Sequence, residues 1–135
     1  MSRPQPGPLL PLSVGLLVAG CDGGSLRGAW SGSCDFSDGT YGEAIFLDLD
    51  IERDLGRSLS GQATVTLPSQ GVLTTTVEGE RAAEHVRLWL VIPAAEGDLD
   101  LHFDGQRDAD EIEGSCELWV PGGSAPVQGQ GELER

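Results

Sequence analysis

Apolar and polar residues alternate along most of the chain after residue 26. The clearest run covers residues 43–52, where Ile45, Leu47, Leu49 and Ile51 share one phase and acidic residues occupy most of the other. Successive side chains of a strand point to opposite faces, so this alternation is typical of a half-buried β-strand. The pattern recurs over residues 86–92 and 98–104, and no stretch has a helical period long enough to predict a helix.

Turn-forming residues divide the pattern into eight segments, because Gly, Pro and Asp cluster at seven places between the apolar runs. We predict strands over residues 27–36, 42–52, 57–67, 72–78, 84–92, 98–104, 110–120 and 126–134. Short sequential connections favour an antiparallel meander, and eight strands are enough to close a small barrel. The prediction is an all-β fold, a small eight-stranded antiparallel meander barrel. A two-sheet β-sandwich is the alternative that the sequence leaves open.

Glycine recurs in a fixed local pattern of apolar, polar, glycine and polar residues. The six copies contain Gly32, Gly61, Gly79, Gly105, Gly114 and Gly129. Each glycine lies two residues after an apolar one and therefore shares its face, where a missing side chain lets a strand coil tightly. We predict turn positions for Gly79 and Gly105, and inward strand positions for the other four.

The first twenty residues contain no acidic residue, and residues 9–19 are mostly apolar. This arrangement is typical of an export signal. The apolar run is shorter than the roughly 20 residues of a transmembrane helix, and no later segment approaches that length. We therefore predict no transmembrane helix.

The end of the apolar run, Leu17-Val-Ala-Gly-Cys21, resembles the lipobox of bacterial lipoproteins. The resemblance implies cleavage before Cys21 and acylation of Cys21, which would anchor the chain to a membrane of the bacterial cell envelope, facing the periplasm or the exterior. Residues 1–20 would then be the signal peptide, residues 21–26 the lipidated Cys and a polar tether, and residues 27–135 the barrel-like domain. The alternatives are an ordinary secretory signal, giving a soluble secreted binding domain, and a retained apolar terminus.

Acylation of Cys21 would leave Cys34 and Cys116 as an even pair in an exported chain. Disulfides persist in such compartments, so we predict a Cys34–Cys116 bridge, with two separate buried thiols as the alternative. In a closed meander the eighth strand lies between the first and the seventh, which separates the two cysteines by about two strand spacings of roughly 4.8 Å. Either inward-facing Gly129 and Gly131 leave room for the bridge, or the strand ends bend together.

The sequence Gly28-Ala-Trp30 on the first predicted strand is similar to the Gly-x-Trp opening of lipocalins and avidin-like barrels. The resemblance implies a small up-and-down barrel in which Trp30 fills one end of the core. The polar and aromatic residues that hold biotin in the avidin family are not matched along this chain.

The net charge of the chain limits the kinds of partner that we expect it to bind. The chain has 22 acidic residues, eight arginines and no lysine, giving a net charge of −14. All the acidic residues and all but one of the arginines follow residue 20. This balance argues against nucleic-acid binding. A cationic envelope protein or peptide is the macromolecular partner that it suggests, besides the membrane.

Candidate chemistry is sparse. Residues 100–111 match a calcium-binding loop at some positions, but His102 and Arg107 do not fit the pattern. The flanking sequences have the alternation of strands, so we predict a hairpin turn with solvated acidic side chains. His85 and His102 both fall in the outward phase, where Asp100 and Asp104 are expected to pair with His102. No catalytic motif is present, so we predict no enzyme activity, no metal site and no cofactor.

We therefore predict a non-catalytic, membrane-tethered binding or structural module. A carrier that holds a small apolar ligand inside the barrel is the alternative, and it requires an unfilled interior.

Overall fold

The computed structural model describes residues 24–36 and 41–135. Eight antiparallel strands follow one another around a closed barrel, and β8 pairs with β1. The strands are β1 (Gly28–Asp35), β2 (Ala44–Asp54), β3 (Ser58–Leu67), β4 (Gly71–Ala82), β5 (His85–Ala94), β6 (Gly97–Asp108), β7 (Glu111–Trp119) and β8 (Val127–Glu134). The predicted meander barrel is confirmed, and the sandwich alternative is wrong.

Two of the predicted turns are shorter than expected, because their first residues belong to strands. Gly79 and Gly105 were predicted at turns, but both lie inside strands, and the turns fall at Ala83–Glu84 and Ala109–Asp110. Ala83 and Ala109 have positive φ angles of 54° and 57°. These alanines form the turns in a conformation that alanine rarely adopts. Because alanine is not a typical turn residue, the sequence does not indicate a turn at these positions.

The barrel interior is filled by the inward phase of all eight strands. Trp30, Phe36, Phe103 and branched aliphatic side chains make up most of this core. A Cβ built at any of the six pattern glycines would lie less than 3 Å from a carbonyl oxygen of a neighbouring strand. These glycines therefore allow neighbouring strands to approach closely, and Gly79 and Gly105 do so as well as the four predicted at inward strand positions.

Residues 24–27 close one end of the barrel, which we call the arginine end. Leu26 is buried there, and its carbonyl oxygen accepts a hydrogen bond of 2.8 Å from Trp30 Nε1. Arg107 donates to the Gly24 carbonyl oxygen at 2.7 Å, and Arg135 donates to the carbonyl oxygens of Ser25 and Arg27. Residues 24–26, predicted as part of a tether, therefore lie against the barrel.

The seam between β4 and β5 is paired over only half its length. The pairing runs from Ala82 opposite His85 to Val77 opposite Leu90, although β4 begins at Gly71 and β5 continues to Ala94. Toward the start of β4, before Val77, the backbone pairing between the two strands stops.

Candidate binding surface on the barrel exterior

The predicted disulfide is present, and it lies inside the barrel. Cys34 on β1 and Cys116 on β7 are bonded across β8, with their Cα atoms 6.1 Å apart. A Cβ at Gly131 would lie 2.5 Å from Cys116 Sγ, so the missing side chain makes room for the bridge. The Cα separation is also well below two strand spacings of about 4.8 Å each, so β1 and β7 approach each other as well. Of the two glycines considered, Gly131 makes room for the bridge, whereas a Cβ at Gly129 would instead lie 2.6 Å from the Phe36 ring.

Three glycines lie side by side next to this bridge. Gly105, Gly114 and Gly131 are register partners on β6, β7 and β8, and Gly131 is in turn opposite Cys34. The ring of Phe103 covers this row, since Cβ atoms at Gly105 and Gly131 would lie about 3 Å from ring carbons. An aromatic ring over strand glycines restores the packing that the glycines lack.

Trp30 occupies the predicted place in the core. Its side chain is 1 % exposed, and the guanidinium groups of Arg107 and Arg135 lie 5.8 and 4.6 Å from its ring centroid. Burial, followed by repulsion from Arg135, lowers the pKa of Arg107 below its ordinary value. These arginine contacts were not foreseen, because they depend on which strand ends meet.

The interior holds little free space at this end. A cavity of about 10 Å³ lies among Leu26, Trp30, Leu88, Ile112 and their neighbours. Pockets for small molecules are usually about 300–1,000 Å³, so this cavity is far too small for a ligand.

A depression on the outside of the barrel runs across β1, β8 and β7, and we call it the acidic groove. Its volume is about 580 Å³, and it is lined by Ser33, Asp35, Glu113, Gly114, Gln130, Gly131 and Glu132. Ser33 contributes a short outward side chain, and the backbone of Gly114 and Gly131, whose missing side chains would point into the barrel, lies between the longer acidic residues. The groove thus places three carboxylates around one concave surface.

Two like-charge pairs face each other across the β7–β8 hairpin. Glu113 is directly opposite Glu132, and Glu111 is directly opposite Glu134. Side chains in such positions have Cβ atoms about 5 Å apart, and like charges there are destabilising. In the part of the chain that the structure describes, neither Glu113 nor Glu132 has an ion pair. The sequence shows these acids, but only the strand register shows that they face each other.

A second depression lies on the outer face of β5, β6 and β7. It has a volume of about 280 Å³ and is lined by Arg87, Trp89, His102, Phe103, Asp104, Ser115 and Glu117. Trp89 is directly opposite His102, and Trp119 is directly opposite Asp100. Both tryptophans are more than a third exposed. This face combines aromatic and acidic groups.

The expected pairing of His102 with Asp104 is wrong. Asp104 instead binds His85 Nε2 diagonally across β5 and β6, and its other oxygen lies 3.5 Å from Arg87 Nε. His102 has Trp89 and Glu117 as its register neighbours. Diagonal neighbours in an antiparallel sheet are within reach of long side chains, and the sequence does not show which diagonal is used.

The calcium-like segment is mostly strand. Residues 100–108 belong to β6, so their acidic side chains spread along one face instead of wrapping around a point. Within residues 24–36 and 41–135, no group of three or more His, Cys, Asp or Glu side chains is placed to hold a metal ion.

Cys21, the predicted lipidation site, lies outside the described residues. Within the described ranges, we find no apolar helix of the length that a bilayer crossing requires. The chain matches no protein-family model, and a search of curated proteins finds no significant match.

Proposed function

We propose that the protein is an exported bacterial lipoprotein held at a membrane by acylated Cys21. The support is the lipobox-like sequence Leu17-Val-Ala-Gly-Cys21 after an acid-free apolar run. A buried Cys34–Cys116 disulfide suits the oxidising compartments outside the cytoplasm. Several acyl chains, at roughly 0.8 kcal/mol per buried CH₂, would hold an acidic domain on a surface that its charge does not seek.

The intact mass of the full-length chain, expressed in a bacterial host and extracted in detergent without reductant, tests the anchor. A chain that begins at Cys21 and carries acyl mass supports the proposal. A chain without acyl mass would contradict it, and the soluble secreted binding domain would replace it.

We further propose that the barrel is a non-catalytic module that binds a cationic protein or peptide in the acidic groove. The observation that carries this proposal is the unpaired Glu113–Glu132 juxtaposition beside Asp35. Two carboxylates held face to face cost stability, and such costs are retained mainly where function needs them. A Lys or Arg side chain between them would neutralise the repulsion and gain charge-assisted hydrogen bonds.

Titration of the purified full-length protein with a decalysine peptide, followed by nuclear magnetic resonance, tests the groove. We expect shifts at Ser33, Gln130 and Glu132 that disappear as salt is added, since exposed charges are screened. Glu132→Gln is expected to weaken binding about 5-fold, in line with roughly 1 kcal/mol for one charge interaction. Glu78→Gln removes the same charge from β4, across the barrel, and serves as the control.

Shifts scattered over the whole acidic surface, or equal weakening by Glu78→Gln and Glu132→Gln, would contradict a site in the groove. A pull-down from envelope extract at low salt then identifies natural partners. We expect the natural partners to be proteins or peptides that salt releases from the wild-type barrel. The Glu132→Gln barrel should not capture them.

A further inference from the structure

The chain enters the barrel at the arginine end, a few residues after the proposed acylation site Cys21. The carbonyl oxygen of Gly24 accepts hydrogen bonds from Arg107 at 2.7 Å and Arg81 at 3.3 Å. Cys21 is only three residues earlier in the sequence. The proposed anchor is therefore close in sequence to the residues that close the arginine end.

The arginines are concentrated at the same end. Every arginine of the described residues lies at this end or within three residues of a strand terminus there; they are Arg27, Arg53, Arg57, Arg81, Arg87, Arg107 and Arg135. The connections at the opposite end contain no arginine, and they include Glu43 and Glu96. Acidic residues lie at the arginine end too, among them Glu52, Glu84 and Asp110, so attraction to a negatively charged lipid surface is local to arginines that have no carboxylate partner.

The β2–β3 turn has the features of a membrane contact. Leu55 at its tip is 72 % exposed, and the exposed Arg53 and Arg57 flank it. Neither arginine has an ion pair within the described ranges. Asp54 does not cancel their charge, because its side chain is 1 % exposed and paired with Arg81.

This turn is also next to the segment that leads to Cys21. Asp54 Oδ2 accepts a hydrogen bond of 2.8 Å from the Leu26 amide, and the Arg57 carbonyl oxygen accepts one from the Arg81 amide. Arg81 itself reaches Gly24. Residues 24–26 and the Arg-Leu-Arg tip therefore lie side by side at one corner of the arginine end.

We propose that Arg53 and Arg57 bind the phosphates of anionic phospholipid headgroups while Leu55 enters the interface. The barrel then stands on its arginine end, with the arginine-free end directed away from the membrane. This inference rests on the proposed acylation of Cys21. Guanidinium groups suit phosphate oxygens because they donate two parallel hydrogen bonds.

Depth-dependent quenching in vesicles tests this orientation. The full-length acylated protein carries Leu55→Cys labelled with an environment-sensitive fluorophore, and is reconstituted in phosphatidylcholine vesicles containing phosphatidylglycerol and brominated acyl chains. Val72→Cys is the matched control, because Val72 is also apolar, is 65 % exposed and lies at the opposite end. With Cys34 and Cys116 bonded and the thiol of Cys21 acylated, the new thiol is the one available for labelling.

We expect strong quenching at position 55 and little at position 72. The double variant Arg53→Gln, Arg57→Gln should reduce quenching at position 55 in anionic vesicles several-fold. Each arginine near an anionic surface contributes about 5-fold to the affinity of the turn for that surface. Equal quenching at both positions, or none at position 55, would overturn the orientation. The intact mass of the same preparation reports acylation separately, so a missing acyl group would refute the anchor and not the orientation of an anchored barrel.

Discussion

At the scale of single residues, Asp54 carries the most concentrated set of contacts. Its carboxylate accepts hydrogen bonds from the amides of Leu26 and Gly56 and from Arg81 Nε, and it forms an ion pair with Arg81 at 3.2 Å. Burial alone would raise the pKa of Asp54, but these donors outweigh it and lower the pKa below its ordinary value of 3.8. The residue joins the β2–β3 turn to the segment that closes the barrel.

Asp54→Asn is expected to lower the free energy of unfolding by about 3 kcal/mol at pH 7. Both carboxylate oxygens serve donors, and an amide nitrogen in place of one of them cannot accept. Urea unfolding of the full-length protein, followed by circular dichroism, measures the change. Asp50→Asn, at an exposed position of the same strand, should change stability by no more than about 0.5 kcal/mol. Equal effects of the two variants would contradict this role.

The stability that Asp54 contributes depends on pH. Its pKa is lower in the folded state than in the unfolded state, so the contribution is complete above the unfolded value of 3.8 and is lost as pH falls through the folded value. The difference between wild type and Asp54→Asn should therefore be constant near neutral pH and shrink below about pH 4. Unfolding curves of both proteins at a series of acidic pH values check this, and a difference that grows on acidification would refute it.

Gly131→Ala is expected to destabilise the barrel by about 2 kcal/mol. The new methyl group would lie 2.5 Å from Cys116 Sγ and 2.8 Å from a ring carbon of Phe103, so the bridge or the ring must move. Gln130→Ala, one residue earlier on the outward face, should be close to neutral. Thermal unfolding of the oxidised proteins compares them. A neutral Gly131→Ala would show that the disulfide does not depend on this space.

At the scale of elements, the sequence predicts strands well where burial enforces a period of two. Ile45, Leu47, Leu49 and Ile51 alternate with exposed residues throughout β2, so the strand is unmistakable. Gly79 and Gly105 were misplaced because an isolated glycine signals a turn and a strand bend equally well. The cross-strand groups of the candidate site could not be predicted, because Glu113 faces Glu132 only once the register is known.

The open half of the β4–β5 seam should be the most dynamic part of the barrel wall. Side chains replace the missing backbone pairing there: Thr75 Oγ1 donates to the Val91 carbonyl oxygen, and Gln70 bonds the Ala95 amide and Glu96. We expect amides of residues 72–76 that point toward β5 to exchange with deuterium faster than those that point toward β3, because only the latter are in a ladder.

Gln70→Ala should accelerate that exchange further, since it removes the polar link at the mouth of the seam. Ser69→Ala is the control, because Ser69 bonds Glu43 on the other side of the turn. Nuclear magnetic resonance of the folded protein resolves the individual amides. Uniform protection along both edges of β4 would show that the seam is closed in solution.

At the scale of the whole molecule, a net charge of −14 opposes compaction. The repulsion is greatest where the β7–β8 hairpin places Glu111 opposite Glu134 and Glu113 opposite Glu132. The arginine end relieves part of it through ion pairs such as that between Arg81 and Asp54. Glu113 and Glu132 have no such ion pair among the described residues, so a cation bound between them would relieve their repulsion.

Glu132→Gln should therefore raise stability while it weakens the proposed binding. Removing one like-charge pair is worth about 0.5 kcal/mol, and the gain should shrink at high salt as the repulsion is screened. Glu78→Gln removes the same formal charge opposite Ser60 and Trp89, so it should gain less. Urea unfolding at low and high salt measures both variants. If the Glu132→Gln protein is less stable than wild type at low salt, Glu132 has a structural partner. That result would contradict the proposal that the groove binds a cationic ligand.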